Sequence, residues 1–318
     1  MSHYLDEQQR NQIHRLSRRF LWRTELPTWG VILTVYGGWF ATLAVWETLG
    51  LLPATLLLIV LTAWYMALQH ELIHGHPTRY PRLNQLFGTL PLAVWYPYGL
   101  YRDSHLAHHR NETLTVPEDD PESYYFTERS WAGFSPWRKR LIRARNTFPG
   151  RLLLAPLLDI IQTLGSAAAA FRQRDGRSIA MWLIHLGLLA LLLAGMVHLG
   201  FSPVWYLLAV SYPALALTKI RSFMEHRAAD DPLARSAINE AGAFWRVLFL
   251  NLNYHSVHHD LPGVPWYGLK TVYEQNREAY RRQNHGFVVN GYSEWLRQFW
   301  GKPIDVTVHP RVKKDHHE

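Results

Sequence analysis

The chain has 318 residues, 48% of them hydrophobic, with 33 Lys and Arg against 25 Asp and Glu, a formal charge of +8 and no cysteine. The lack of cysteine excludes disulfides, thiolate zinc sites and cysteine-held iron–sulfur clusters within the chain. No Arg/Lys run is paired with a nucleic-acid-binding motif, so the basic excess does not indicate a nucleic acid partner.

Residues 1–27 form a polar, amphipathic arm. Ile13, Leu16 and Phe20 recur at helical spacing among Arg10, Arg15, Arg18 and Arg19. That pattern predicts a helix lying on a membrane surface and does not match a cleaved signal peptide. Uncharged stretches follow at 28–46, 51–69, 179–200 and 202–218. Each approaches the roughly 20 residues that cross a hydrocarbon core of about 30 Å. Four buried helices of a large soluble protein are the alternative, and the grouping into two closely joined pairs argues against it. We therefore expect an all-α integral membrane protein with spans near 28–48, 51–73, 179–200 and 202–222, set in two hairpins within a domain at 28–302.

Charge gives the expected orientation. No Lys or Arg occurs at 31–69 or at 178–218. The positive-inside bias then places both termini and the middle segment in the cytoplasm of a multi-pass protein. Two further apolar runs, 83–100 (broken by Pro91 and Pro97) and 151–171 (with Asp159 near its centre), are expected to dip into the membrane or lie along it. Residues 303–318 read as a disordered tail in which His316 and His317 are solvated.

The chemistry lies in the histidines. "QHELIH" places His70 and His74 at i and i+4. "YRDSHLAHHRNE" places His105, His108 and His109 at i, i+3 and i+4, and "NYHSVHHDLPG" repeats that spacing at His255, His258 and His259. On a helix these positions share a face, so each group is expected to aim its rings at one point. His226 follows the fourth stretch, and the charge rule brings all nine to one cytoplasmic level. Imidazole suits iron, zinc, copper and nickel. Nine imidazoles exceed the needs of one zinc and suit two ions with four or five ligands each, leaving room for water or O2; zinc and iron both remain open. His76, His185, His198 and His285 read as structural. "HELIH" also matches H-E-x-x-H, in which two His hold zinc and Glu71 acts as the base of an intramembrane protease. Asp159 is a poor further ligand for that reading, which leaves both H-x-x-H-H trios unexplained.

H-x-x-x-H, H-x-x-H-H, a lone His and a final H-x-x-H-H together resemble the membrane fatty acid desaturase superfamily, over about residues 29–267. "AHHRNETLTVPEDDPES" and "HHDLPGVPWYGL" resemble the stretches after that family's second and third boxes. The resemblance implies four transmembrane helices under a cytosolic helical cap. It implies a two-iron centre held by His70, His74, His105, His108, His109, His226, His255, His258 and His259. It further implies O2 as co-substrate, a lipid or fatty acyl substrate, and an external electron donor of ferredoxin or cytochrome b5 type. The expected activity is desaturation in a bacterial inner membrane, with hydroxylase, ketolase or other monooxygenase chemistry as the alternative. Glu71, Glu225 and Asp260 adjoin ligands and are expected to orient them, or else to form simple surface ion pairs. Trp39, Trp64 and Trp95 are candidates to line the substrate slot or to form an interfacial belt.

Overall fold

The computed structural model describes residues 3–110, 112–304 and 307–310. The chain is mostly helical. The helices used below are α1 (Glu7–Ser17), α2 (Leu26–Ala44), α3 (Leu51–Ile73), α4 (Pro81–Thr89), α5 (Tyr98–His108), α6 (Ala155–Gln173), α7 (Gly176–His198), α8 (Tyr212–Arg221), α9 (His255–Asp260) and α10 (Trp266–Gln275). Two compact units arise. One comprises Met1–Arg19, Ser104–Ala155 and Lys219–Glu318, and the other Phe20–Asp103 and Pro156–Thr218.

The second of these units holds the apolar helices. α2 buries Val31, Ile32, Val35, Trp39, Thr42 and Leu43, a stripe at helical spacing. It is joined to α3 through a helical turn at Trp46–Leu49 and Gly50, whose φ of 84° few other residues tolerate. The open end of this hairpin is tied by Glu25 Oε1 to His76 Nδ1 at 2.7 Å, while Glu25 Oε2 accepts from Thr28 Oγ1. His76 is thus a structural histidine, as expected. Residues 65–73 at the end of α3 are all buried, whereas Leu52, Leu56 and Leu57 at its start are exposed.

α3 and α7 are each long and apolar enough to cross a membrane. The stretch expected as the fourth span is helical but not uniform: a turn at Pro203–Trp205 leads into a π-helical segment, Tyr206–Ser211, and then α8. The run at 83–100 resolves into α4, a non-helical segment at 90–97, and the start of α5. Leaving the helix frees carbonyls, and buried side chains take them up. Tyr65 Oη and Gln69 Nε2 donate to Gly88 O; Tyr206 Oη donates to Leu92 O, Ser211 Oγ to Ala93 O, and His185 Nε2 bonds Val94 O at 2.6 Å. The π-helical segment supplies two of these donors. Val94 has φ 67°, a left-handed conformation costly for a β-branched residue, and three bonds to consecutive carbonyls hold it there. Trp39, expected near a substrate slot, is fully buried and donates to Tyr206 Oη. α6 leaves Leu157, Ile161 and Leu164 exposed along one side.

The other unit is built from shorter pieces. α1 was expected to present Ile13, Leu16 and Phe20 to a membrane surface. Of these, Leu16 is buried together with Gln9 and Gln12, whereas Ile13 is half-buried and Phe20, beyond the end of α1, is exposed. Gln9 Nε2 donates to Tyr280 Oη, and Asn276 Nδ2 donates to Gln12 Oε1, so polar contacts within the unit set the face of the helix. Strands β1 (Ile238–Asn239) and β2 (Val288–Val289) pair in parallel. The tail expected to be disordered is docked wherever it is described. Ile304 N–H donates to Asn146 O, Phe126 and the 307–309 segment exchange backbone bonds, and buried His309 bonds Thr115 Oγ1 at 2.9 Å. His316 and His317 lie outside the described residues.

Candidate metal centre

Four imidazoles meet in the interior of the short-helix unit. α5 supplies His108, the segment after α8 supplies His226, and α9 supplies His255 and His259; all four are buried. Their ligand nitrogens lie within 4.8 Å of one another. His226 Nε2 stands 3.0 Å from His108 Nε2 and 2.9 Å from His255 Nε2. The opposite ring nitrogens face outward onto acceptors. His108 Nδ1 is 2.9 Å from Asp120 Oδ1, His226 Nδ1 is 3.3 Å from Ser236 Oγ, and His255 Nδ1 is 3.5 Å from Glu225 Oε1. A carboxylate on Nδ1–H fixes the tautomer and leaves Nε2 as a lone pair. Lone pairs converging at such distances repel unless a cation lies among them, so the donor set fits a metal ion.

The protonation states agree. Burial, and then the neighbouring imidazole of His108, push His226 well below its ordinary value of 6.5. Burial followed by His226 does the same to His255, and burial followed by His109 does so to His259. Neutral imidazole is the form that binds metal. His108 differs: burial lowers it, but Glu122 and Asp120 outweigh burial and leave it raised.

A second group in the same unit comprises His105, His109 and His258. His109 Nε2 lies 3.1 Å from both His105 Nε2 and His258 Nε2. His105 Nδ1 turns away toward Glu122 Oε1, at 3.2 Å. Burial lowers His105 in spite of that carboxylate. The expectation that each H-x-x-H-H trio aims at one point is therefore corrected, because each trio divides between the two groups. In the other unit, His70 and His74 close α3 with ring centroids 4.8 Å apart, and Glu71 Oε1 is 3.6 Å from His70 Nδ1.

Of the acidic residues expected to orient ligands, Glu225 faces His255 and is itself held by Arg221 at 2.7 Å. Asp260 does not take that role. Its carboxylate accepts from Gln283 Nε2 at 2.6 Å and lies 3.8 Å from His3 Nδ1. Asp260 is next in sequence to His259, but its side chain leaves α9 in another direction. Sequence reasoning missed Asp120, Glu122 and Ser236 as partners of named histidines. The acidic run "EDDPES" was the available signal for the first two, but spacing could not say which ring each would meet. His185, bonded to a backbone carbonyl, and His285, paired with Asp231 at 3.1 Å, are structural as expected.

Buried histidine groups compatible with metal binding thus lie in a mostly helical chain that has two helices of membrane-crossing length. A family model described as fatty acid desaturase matches residues 46–290, more than half of the chain, and the protein belongs to that family. Membership implies an oxidoreductase of desaturase or hydroxylase type, a lipid substrate and a membrane context. No curated protein matches the chain.

Proposed function

We propose that the protein is an O2-dependent, two-iron membrane desaturase acting on a fatty acyl or lipid chain. The observation that carries this reading is the buried convergence of His108, His226, His255 and His259, with the outer nitrogens of His108 and His226 hydrogen-bonded, in a chain of the desaturase family. One ion would be held by those four. The other would be held by His105, His109 and His258. Iron at these positions would supply activation of O2, using two electrons from an external donor of ferredoxin or cytochrome b5 type, and removal of hydrogen from an unactivated C–H bond.

The chain's own residues have separable tasks. Asp120 and Ser236 hold the His108 and His226 rings so that Nε2 faces inward, and Glu225 does so for His255 at a longer distance. Burial keeps His226, His255 and His259 neutral. α3 and α7, with their exposed leucines, would anchor the site at the membrane where the substrate resides. Four spans with both termini cytoplasmic remain our reading of the topology, from the absence of Lys and Arg at 31–69 and 178–218. We read "HELIH" as the first histidine box of this family, since the zinc-protease reading would leave the seven other clustered histidines without a role.

Lipid mass spectrometry of a host expressing the chain tests the reaction. Loss of two hydrogens marks desaturation, gain of one oxygen marks hydroxylation, and gain of one oxygen with loss of two hydrogens marks a ketone. His108→Ala should abolish the product and release metal from the purified protein. Full metal and full turnover in that variant would sink the site.

A further inference from the structure

The loop that follows α5 turns on one residue. Thr115 has φ 68°, in the left-handed region, where a β-branched side chain is strained. Such a conformation persists only where its surroundings over-determine it. Thr115 meets that condition, because all three of its polar atoms are engaged. Its N–H donates to Asp120 Oδ2 at 2.8 Å, its carbonyl accepts from Ser123 Oγ at 2.7 Å, and its Oγ1 lies 2.9 Å from His309 Nε2. Thr115 and His309 are both buried. One residue earlier, Arg235 Nη1 donates to Leu114 O at 2.6 Å and pins the loop from another side.

These bonds reach the four-imidazole group through one carboxylate. Asp120 accepts from Thr115 N–H through Oδ2 and from His108 Nδ1 through Oδ1, the latter at 2.9 Å. Where Thr115 stands therefore sets where the carboxylate stands and how the His108 ring is turned. His309 arrives from 194 positions along the chain. Its backbone is already docked: Phe126 N–H donates to Thr307 O at 2.9 Å, and His309 N–H to Phe126 O at 3.1 Å. The Tyr125 ring meets the His309 ring edge-on, with centroids 5.8 Å apart. Burying an imidazole costs more than burying an apolar side chain, which would fill the same space. What the imidazole adds is the bond to Thr115.

We propose that His309 is a positioning residue of the metal centre: through Thr115 Oγ1 it locks the loop whose Asp120 holds His108. The inference rests on the metal-centre reading above. It makes the segment at 307–309 part of the support of the ion held by His108, His226, His255 and His259.

The test uses the full chain in detergent, titrated with Co2+ alone and followed by metal content and by the visible ligand-field spectrum. Wild type should bind about two ions in two steps, and the step lost in His226→Ala is that of the four-imidazole group. His309→Ala should weaken that step by about 3- to 10-fold, less than a change at Asp120 because it acts one contact further out. It should also shift the spectrum of that ion and change the other step less. His309→Gln, whose amide reaches as far as Nε2, should restore most of the affinity. Thr115→Val removes the same bond from its other end and should reproduce the loss, which decides the matter if His309→Ala does not fold. Because the effect runs through Asp120, adding His309→Ala to Asp120→Asn should cost little beyond Asp120→Asn alone. Wild-type affinity in His309→Ala or Thr115→Val, equal losses in both steps, or additive losses in the double variant would overturn the proposal and leave His309 as packing. Failure of wild type to bind Co2+ would instead overturn the metal-centre reading.

Discussion

The trios His105/His108/His109 and His255/His258/His259 have the same spacing, yet they are divided in opposite ways. In the first, the i+3 ring joins His226 and the i and i+4 rings turn to the other group. In the second, the i and i+4 rings join His226 and the i+3 ring departs. Helical geometry explains why the split falls there. Successive residues turn by about 100°, so i and i+4 lie about 40° apart, while i+3 and i+4 are separated by about 100°. A trio of this kind is a pair plus a single, pointing in different directions. The repeated spacing therefore does not give two copies of one site. Each group draws a pair from one trio and a single ring from the other.

The most severe test of that division removes one ring from each group. His226→Ala and His109→Ala should each abolish turnover, and each should lower metal content from about two ions per chain to about one. Loss of both ions from either variant would mean a single cooperative centre, and the comparison would fail. Asp120→Asn comes next. It weakens the acceptor that holds His108 Nδ1 and should cost about 10- to 100-fold in affinity for one ion only. Equal losses in both chelator-titration steps would show that Asp120 braces the unit as a whole.

Acid offers a third handle, on the metal-free protein. His105, His226, His255 and His259 all titrate below 6.5 when folded, so below that pH the unfolded chain takes up protons that these residues refuse. Stability should then fall as pH drops through 6.5 toward their folded values. His108 and His76 are raised and work in the opposite sense, as do the buried carboxyls of Glu225 and Asp260, but three of the four lowered rings lie well below 6.5. A Tm lower by several degrees at pH 5.5 than at pH 8 is the expected result, and an unchanged Tm would contradict it. The smallest effect belongs to Ser236→Ala. Its bond to His226 Nδ1 is 3.3 Å long and uncharged, so a few-fold change in affinity for the same ion is expected. A loss as large as that of Asp120→Asn would show that Ser236 bears more of His226's orientation than this distance suggests.

Much of the protein is readable from local pattern. Long uncharged runs gave α3 and α7, because a span needs only length and apolarity. The i, i+3, i+4 spacing picked out the clustered histidines, because each ring's direction follows from its place on its own helix. Folding decided what depends on residues distant in sequence. The carbonyls at 92–94 find Tyr206, Ser211 and His185 more than 90 positions away, which no periodicity in 83–100 announces. Asp120 and Glu122 acquire their partners only when their turn closes on α5. Asp260, beside a histidine in sequence, turns to Gln283 because a helix sends adjacent side chains in different directions. Sequence thus determined which ligand types are present and how far apart they lie along each helix. The assignment of each ring to its group, and of each carboxylate to its ring, required the packed helices, because facing is a property of pairs of elements and not of one.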